Sequence, residues 1–168
     1  VALAETASAS RRADAPVAAR DEASLERIWR EIAAHAGDGQ RILVTSATSG
    51  HAAHLGALAL MRTAARHGGK VCLVDLVGPE HELAELVDAE DMPGLSDLLA
   101  GRAGFAQVIC RDHASRGHIV VAGSEPLTPD TLDGDDLDAV LDALDLTYDH
   151  LFVDMGLIAA GDGAAALG

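Results

Sequence analysis

Apolar positions along the chain change period repeatedly between helix-like and strand-like spacing. From Ala23 to Ala36 the residues Leu25, Ile28, Trp29 and Ile32 recur every three or four positions, which predicts one helix with a single apolar face. Gly37, Asp38 and Gly39 end it. Arg41 to Thr45 (RILVT) is a short, nearly continuous apolar run, as expected of a strand covered on both faces. An Ala- and Leu-rich helix is predicted from Ala52 to His67, closed by Gly68 and Gly69, and Lys70 to Asp75 (KVCLVD) reads as a second buried strand. Glu80 to Asp88 reads as helical. Pro93 and Gly94 then break the chain before a short helix at Leu95 to Ala100.

Further along, Phe105 to Ile109 fits a short helix or part of a strand. His118 to Ala122 (HIVVA) is a third strand, Asp135 to Leu144 an amphipathic acidic helix, and His150 to Asp154 (HLFVD) a fourth strand. Alternating strands and helices imply right-handed crossovers and a parallel sheet. The expected fold class is therefore α/β, a mostly parallel sheet flanked by helices in three layers. Ligands of such sheets bind beyond the carboxyl ends of the strands. Three ends draw notice: Thr45 to Gly50, Asp75 and Asp154. A terminal carboxylate can hold Mg²⁺ or orient water there, although Asp is also a common turn former.

Composition narrows the class. The 168 residues are 49% hydrophobic but only 2% aromatic, so the core must be built from Leu, Val, Ile and Ala, which suits layered α/β packing. Residues 21–168 are taken as one domain, preceded by a flexible segment 1–20 that lacks the apolar block of a secretory signal. No stretch approaches the roughly 18 apolar residues of a membrane span. With 27 acidic against 12 basic residues the net charge is −15, which repels nucleic acid and anionic lipid. Cys72 and Cys110 lie in apolar runs without a metal or disulfide spacing, and are expected to be small buried residues.

The segment RILVTSATSGHAAHLGALALMRTAARHGGKVCLVDL, with PGLSDLLAG at Pro93 to Gly101, HIVVAG at His118 to Gly123 and YDHLFVDMG at Tyr148 to Gly156, resembles the nucleotide-binding region of bacterial polysaccharide co-polymerases. Their cytoplasmic domains include the bacterial tyrosine kinases, within the wider deviant-Walker group of P-loop proteins. The resemblance runs from about Ser24 to Gly156. It implies a P-loop-type domain at the cytoplasmic side of the bacterial inner membrane. Such a domain is joined to, or partners, a membrane protein that controls exopolysaccharide chain length or export.

Departures from the family pattern bear most on function. The family loop reads T-S-A-x-x-G-E-G-K-S-T. Thr45, Ser46, Ala47 and Gly50 match it, and Ser49 stands within it. Ala52 replaces the second glycine, Ala53 the lysine that neutralises phosphate oxygens, and His54 the hydroxyl residue that ligates Mg²⁺. Lys70, the sole lysine, lies at the wrong end of the sheet, and Arg62 and Arg66 sit about 12 Å or more into the helix. The family's D-x-D keeps Asp75 but has Val77 at the second position; Asp154 is retained; the E-x-x-R-x-x-R stretch of the first helix is missing; and Tyr148 is the only tyrosine. Ser49, Gly50, Ala52, Ala53, His54, Asp75 and Asp154 are therefore expected to form a vestigial nucleotide site, with ATP and Mg²⁺ bound weakly or not at all.

The leading expectation is a non-catalytic pseudo-ATPase or pseudokinase domain acting through polysaccharide-assembly membrane proteins or its own membrane portion, with homo-oligomerisation left open. The alternative is an ATPase or tyrosine kinase with an altered loop or a charge supplied by a partner. His51 and His54, three apart, could join Asp75 or Asp154 at a metal, but are expected to be exposed or capping residues with no metal bound. Ser46, Ser49 and Ser115 are expected to be loop hydrogen-bonders. The acidic stretch Asp130 to Asp145 is expected to be a solvated helix whose carboxylates favour its N-terminus, or else a docking face for a basic partner. The tail after Gly156 is too short to complete a full family domain, which leaves truncation open.

Overall fold

The computed structural model describes residues 21–35, 40–47, 50–78 and 82–157. The expected flexible segment 1–20, Ser49 and the tail beyond Leu157 lie outside the described residues. The chain divides into two compact units, Val1–Ala36 and Gly37–Gly168. The described part of the first is a single helix, α1 (21–35), which agrees with the three-and-four spacing of its apolar residues.

The second unit carries strands β1 (Gln40–Ser46), β2 (Val71–Asp75), β3 (Ile109–Arg111), β4 (His118–Val120) and β5 (His150–Leu157). Between them run α2 (Gly50–Arg66), α3 (Glu82–Leu86), α4 (Leu95–Leu99), α5 (Phe105–Val108), α6 (Pro129–Leu132) and α7 (Asp135–Asp145). The sheet order is β1-β5-β2-β4-β3. All pairings are parallel except β3 with β4, which is antiparallel. The mostly parallel sheet expected from the sequence is thus present, with one antiparallel pair at its β3 edge. Phe105 to Ile109 proves to be both things it could have been: a four-residue helix whose C-cap, Ile109, turns to extended geometry and opens β3. A tight return through Ser115 to Gly117 then leads straight into β4, and so short a connection can join only antiparallel neighbours.

Alternation along the strands sorts the core into two layers. Cys72, Val74, Val120, Leu151 and Val153 pack with Leu137, Leu141 and Leu144 of α7, together with Leu95, Val108 and Tyr148. The intervening residues Leu73, Phe152 and Ile119 are wholly buried on the other face, where α2 lies against β1, β2 and β5. Helix α2 can approach closely because its inner residues are mostly small: Ala53, Ala57, Ala64 and Ala65 are buried around Leu58 and Met61. Among the described residues, no helix is long and apolar enough to cross a membrane. Cys72 is buried as expected, and its burial keeps the thiol well above its ordinary pKa; Cys110 is only half-buried.

The PGLSDLLAG segment is pinned to the end of β4. Leu95 and Ser96 donate backbone N–H bonds to the carbonyls of Val121 and Ala122, both 2.8 Å. Asp97 accepts from Gly94 N at 2.9 Å and from Ser124 Oγ at 2.8 Å. Burial opposes ionisation of Asp97, but the bonds from Gly94, Ser124 and Arg102 outweigh it and hold the carboxyl at about 2. This approach is possible because residue 94 is glycine: a Cβ there would collide with the Val121 carbonyl and the Gly123 amide. Gly94→Ala is therefore expected to destabilise the domain by about 1–3 kcal/mol or more. Gly56→Ala, inside α2 with open space around it, should stabilise it by about 0.5–1 kcal/mol. Urea unfolding of the two variants beside the parent distinguishes these opposite signs.

Candidate functional site

Two of the carboxylates singled out in the sequence, Asp75 and Asp154, meet beneath the start of α2. β2 and β5 pair in register, so that Asp75 and Asp154 are direct neighbours. Both lie on the strand face shared with Leu73 and Phe152, which is the α2 face. β1 flanks β5 on the other side, with Val44 beside Asp154. Parallel pairing of β1, β5 and β2 thus delivers two carboxylates and the N-terminal turns of a 17-residue helix to one place.

Within this place the decisive contact is between His54 and Asp154. His54, in the second turn of α2, is 4% exposed, and Asp154 is wholly buried. His54 Nδ1 lies 2.6 Å from Asp154 Oδ2; an ionised carboxylate only accepts, so the ring donates. The other oxygen, Oδ1, accepts the Gly156 backbone N–H at 2.9 Å. Both oxygens of Asp154 are therefore engaged inside the protein. The expectation that His54 is exposed or capping is corrected, because a buried carboxylate needs a donor and α2 places the imidazole directly above it. The side chain of His51 lies outside the described residues. Among the described residues, no group of three or more His, Cys, Asp or Glu is placed to hold a metal ion.

The described neighbouring side chains carry no charge. Ala53 is buried and Ala52 exposed, and Gly50 opens α2. The arginines further along the helix have other roles. Arg62 grips the buried Asp112 through Nε at 3.0 Å and Nη2 at 2.7 Å. Burial opposes the charge on Asp112, but this pairing and a bond from Ser115 hold its pKa below the ordinary range. Arg66 donates to Thr63 Oγ1 at 3.1 Å. Lys70 precedes β2 at the opposite end of the sheet, where its backbone N–H donates to Asp149. A magnesium triphosphate needs a cation and a hydroxyl at the helix start; the described side chains there are alanine and an imidazole already bonded to Asp154.

Asp75 lies at the edge of a cleft of about 420 Å³ between the ends of β2 and β4. Among the described residues, the other titratable groups lining it, Glu90, Asp91 and Asp97, are also acidic. Asp75 accepts the Val77 N–H at 2.8 Å, yet burial dominates. Despite the Val77 and Ala122 amides and the nearby imidazole, the carboxyl is pushed up to about 6. Asp75 closes β2 as read from the sequence, whereas β5 runs on past Asp154 to Leu157, and sequence reasoning missed the different surroundings of the two carboxylates. The available signal was that the residue standing for the hydroxyl is itself a hydrogen-bond donor.

Comparison with solved structures places the fold. The chain matches the VpsO kinase domain with a TM-score of 0.68 at 22% identity, over 84% of this chain and 70% of that one. The kinase domain of Escherichia coli tyrosine kinase ETK matches at 0.61 and 20%, over 73% and 49%. The Pyrococcus furiosus cell division ATPase MinD matches at 0.56 and 22%, over 72% and 52%. The chain therefore has the P-loop NTPase fold, a mostly parallel five-stranded sheet flanked by helices, and spans about half the length of the last two proteins. No protein-family model matches the sequence, and no curated protein matches it.

The Asp75 carboxyl makes pH dependence a direct readout of this geometry. Its folded pKa of about 6 stands above the ordinary value of about 3.9. Between these two values the folded chain holds the proton more tightly than the unfolded one, so this group's contribution to stability falls as pH rises from about 4 to 6. Asp75→Asn removes the unfavourable ionisation while keeping an acceptor for Val77. It is expected to stabilise the domain by on the order of 1–3 kcal/mol at pH 7.5, with the gain vanishing near pH 4. Denaturant melts at the two pH values check both the sign and the window.

Proposed function

We propose that this chain is a non-catalytic P-loop-type domain of a bacterial exopolysaccharide biosynthesis or export system, acting by protein contacts at the cytoplasmic side of the inner membrane. Its partners on this reading are polysaccharide-assembly membrane proteins, or a membrane portion of a longer chain to which it belongs. The ordered motifs from RILVTSATSG to YDHLFVDMG and the likeness in fold to kinase domains support the setting.

One observation carries the loss of catalysis: the His54–Asp154 hydrogen bond at 2.6 Å, wholly inside the protein. Where the resembling family has a hydroxyl that holds Mg²⁺ and a carboxylate that supports it, this pair satisfies itself. Placing Mg²⁺ there would require breaking a buried hydrogen bond with a charged partner, at a cost of about 1.5–3 kcal/mol before any new ligand is gained. The lysine position holds Ala53, so charge-assisted contact with phosphate is absent as well. Each loss weakens binding by roughly ten-fold or more, and the acidic cleft beside Asp75 adds repulsion.

Calorimetric titration of the 168-residue chain with ATP and ADP in the presence of Mg²⁺ tests this reading. No saturable heat is expected at high micromolar protein. The triple variant Ala52→Gly, Ala53→Lys, His54→Ser is expected to gain measurable binding, since it restores the missing glycine, cation and hydroxyl together. Saturable binding by the parent chain, or phosphate release abolished by Asp154→Asn, would overturn the proposal and favour an enzyme with an altered phosphate loop.

A further inference from the structure

Away from the strand ends, the packing of α4 and α5 against α6 and α7 leaves an open groove. It consists of two adjoining cavities of about 360 and 300 Å³, which share Leu99 and Asp136. Its apolar side is formed by Leu98, Leu99 and Val140, which lean on the core with one side and remain part-exposed on the other. Phe105, one of only two phenylalanines in the chain, lies 38% exposed along it. Such a surface is costly to leave in water, and adjoining part-exposed apolar side chains mark a binding groove more often than isolated ones do.

Charge defines what fits. Asp130 and Asp136 are exposed along the groove, and Glu125 joins them with its carboxylate 3.1 Å from Arg102. Among the described residues, no lysine or arginine lines either cavity. Helix α7 contributes further carboxylates at Asp135 and Asp138 and has no basic residue in its last turn. A second copy of the chain brings the same −15 net charge and is repelled, as are nucleic acid and anionic lipid. A small polycation satisfies the carboxylates but leaves Phe105, Leu98 and Val140 uncovered.

We propose that the α4–α7 groove docks a basic amphipathic segment of a partner polypeptide. Apolar side chains of the segment cover Phe105, Leu98 and Val140, and Lys or Arg side chains meet Asp136 and Asp130. This is the helix-in-groove mode, in which apolar anchors supply affinity and flanking charges supply orientation and speed of encounter. The inference rests on the groove alone. It does not depend on whether the strand-end site binds nucleotide, and the two tests read different surfaces.

Fluorescence anisotropy with the full 168-residue chain tests it. The probe is a labelled Leu/Lys amphipathic peptide of about four helical turns. Saturable binding is expected, weakened by about five-fold or more in Asp136→Lys and in Phe105→Ser. Ala139→Lys, a substitution of an exposed groove residue, should do the same without disturbing the core, and thermal melts confirm that each variant folds. Glu85→Lys, an equal charge reversal at an exposed position of α3 outside the groove, should change affinity by less than about two-fold. Equal losses in Asp136→Lys and Glu85→Lys would overturn the proposal, since they reveal only the general negative field. So would displacement of the peptide by spermine at matched charge, or undiminished binding of a peptide with every Leu changed to Ser. A chain that sediments as a dimer and returns to monomer in Ala139→Lys would assign the groove to a second copy instead.

Discussion

A carboxylate sealed from water must find donors within the protein, and around Asp154 this requirement organises the centre of the molecule. Asp154 has no exposed surface and sits in the middle of the sheet, between β1 and β2. An unpaired charge in such a place costs several kcal/mol, enough to consume much of a small domain's stability. Two donors meet the requirement. Gly156 supplies a backbone N–H from two residues further along β5, and His54 supplies a ring N–H from α2. The second bond also fixes where α2 may lie, because the imidazole has to stand over the strand end while Ala53, Ala57 and Ala64 pack against the sheet.

Asp75 shows the same constraint met less fully. Its in-register neighbour is Asp154, so two carboxyl groups share one small region, and the imidazole is bonded to only one of them. Burial and the neighbouring charge therefore raise the Asp75 pKa, whereas Asp97, on the far side of the same cleft, is held at about 2 by its ring of donors. The contrast lies in donor supply rather than in burial alone. Asp97 receives bonds from Gly94, Ser124 and Arg102, and that supply depends on residue 94 being glycine, because any Cβ would push α4 away from the end of β4.

The sequence made most of this architecture legible, and the parts it hid have physical reasons. Continuous apolar runs such as VCLVD and HLFVD marked strands covered on both faces, and the amphipathic pattern of Asp135 to Leu144 marked α7. β3 was obscured because Ile109 to Arg111 is three residues long, too short for alternation to show, and follows a helix without an intervening turn. α6 was hidden inside an acidic stretch, although Thr128 caps it by accepting from Thr131 N and Pro129 stands in its first turn. At the candidate site, the missing lysine and hydroxyl could be read by position. The partner of His54 could not, because a bond across 100 residues depends on the register of β5 against β1 and β2. Reading His54 as a surface residue treated it as a lost function, when its new environment gave it a structural one.

That structural role means the departures at the phosphate loop are coupled rather than independent. In the resembling family, a lysine and a magnesium ion supply positive charge close to the strand-end carboxylates. Without them, the carboxylate of Asp154 would stand buried and short of a donor, and an imidazole at position 54 answers that shortage directly. The reverse also holds. A lysine placed at position 53 while His54 remains would meet a carboxylate whose oxygens are already occupied, and a serine at position 54 alone would leave Asp154 with the Gly156 amide and a shorter, weaker donor. Groups that share one partner do not contribute additively, so neither change alone recovers the binding that the two together can. The His54–Asp154 pair is thus self-consistent within this fold.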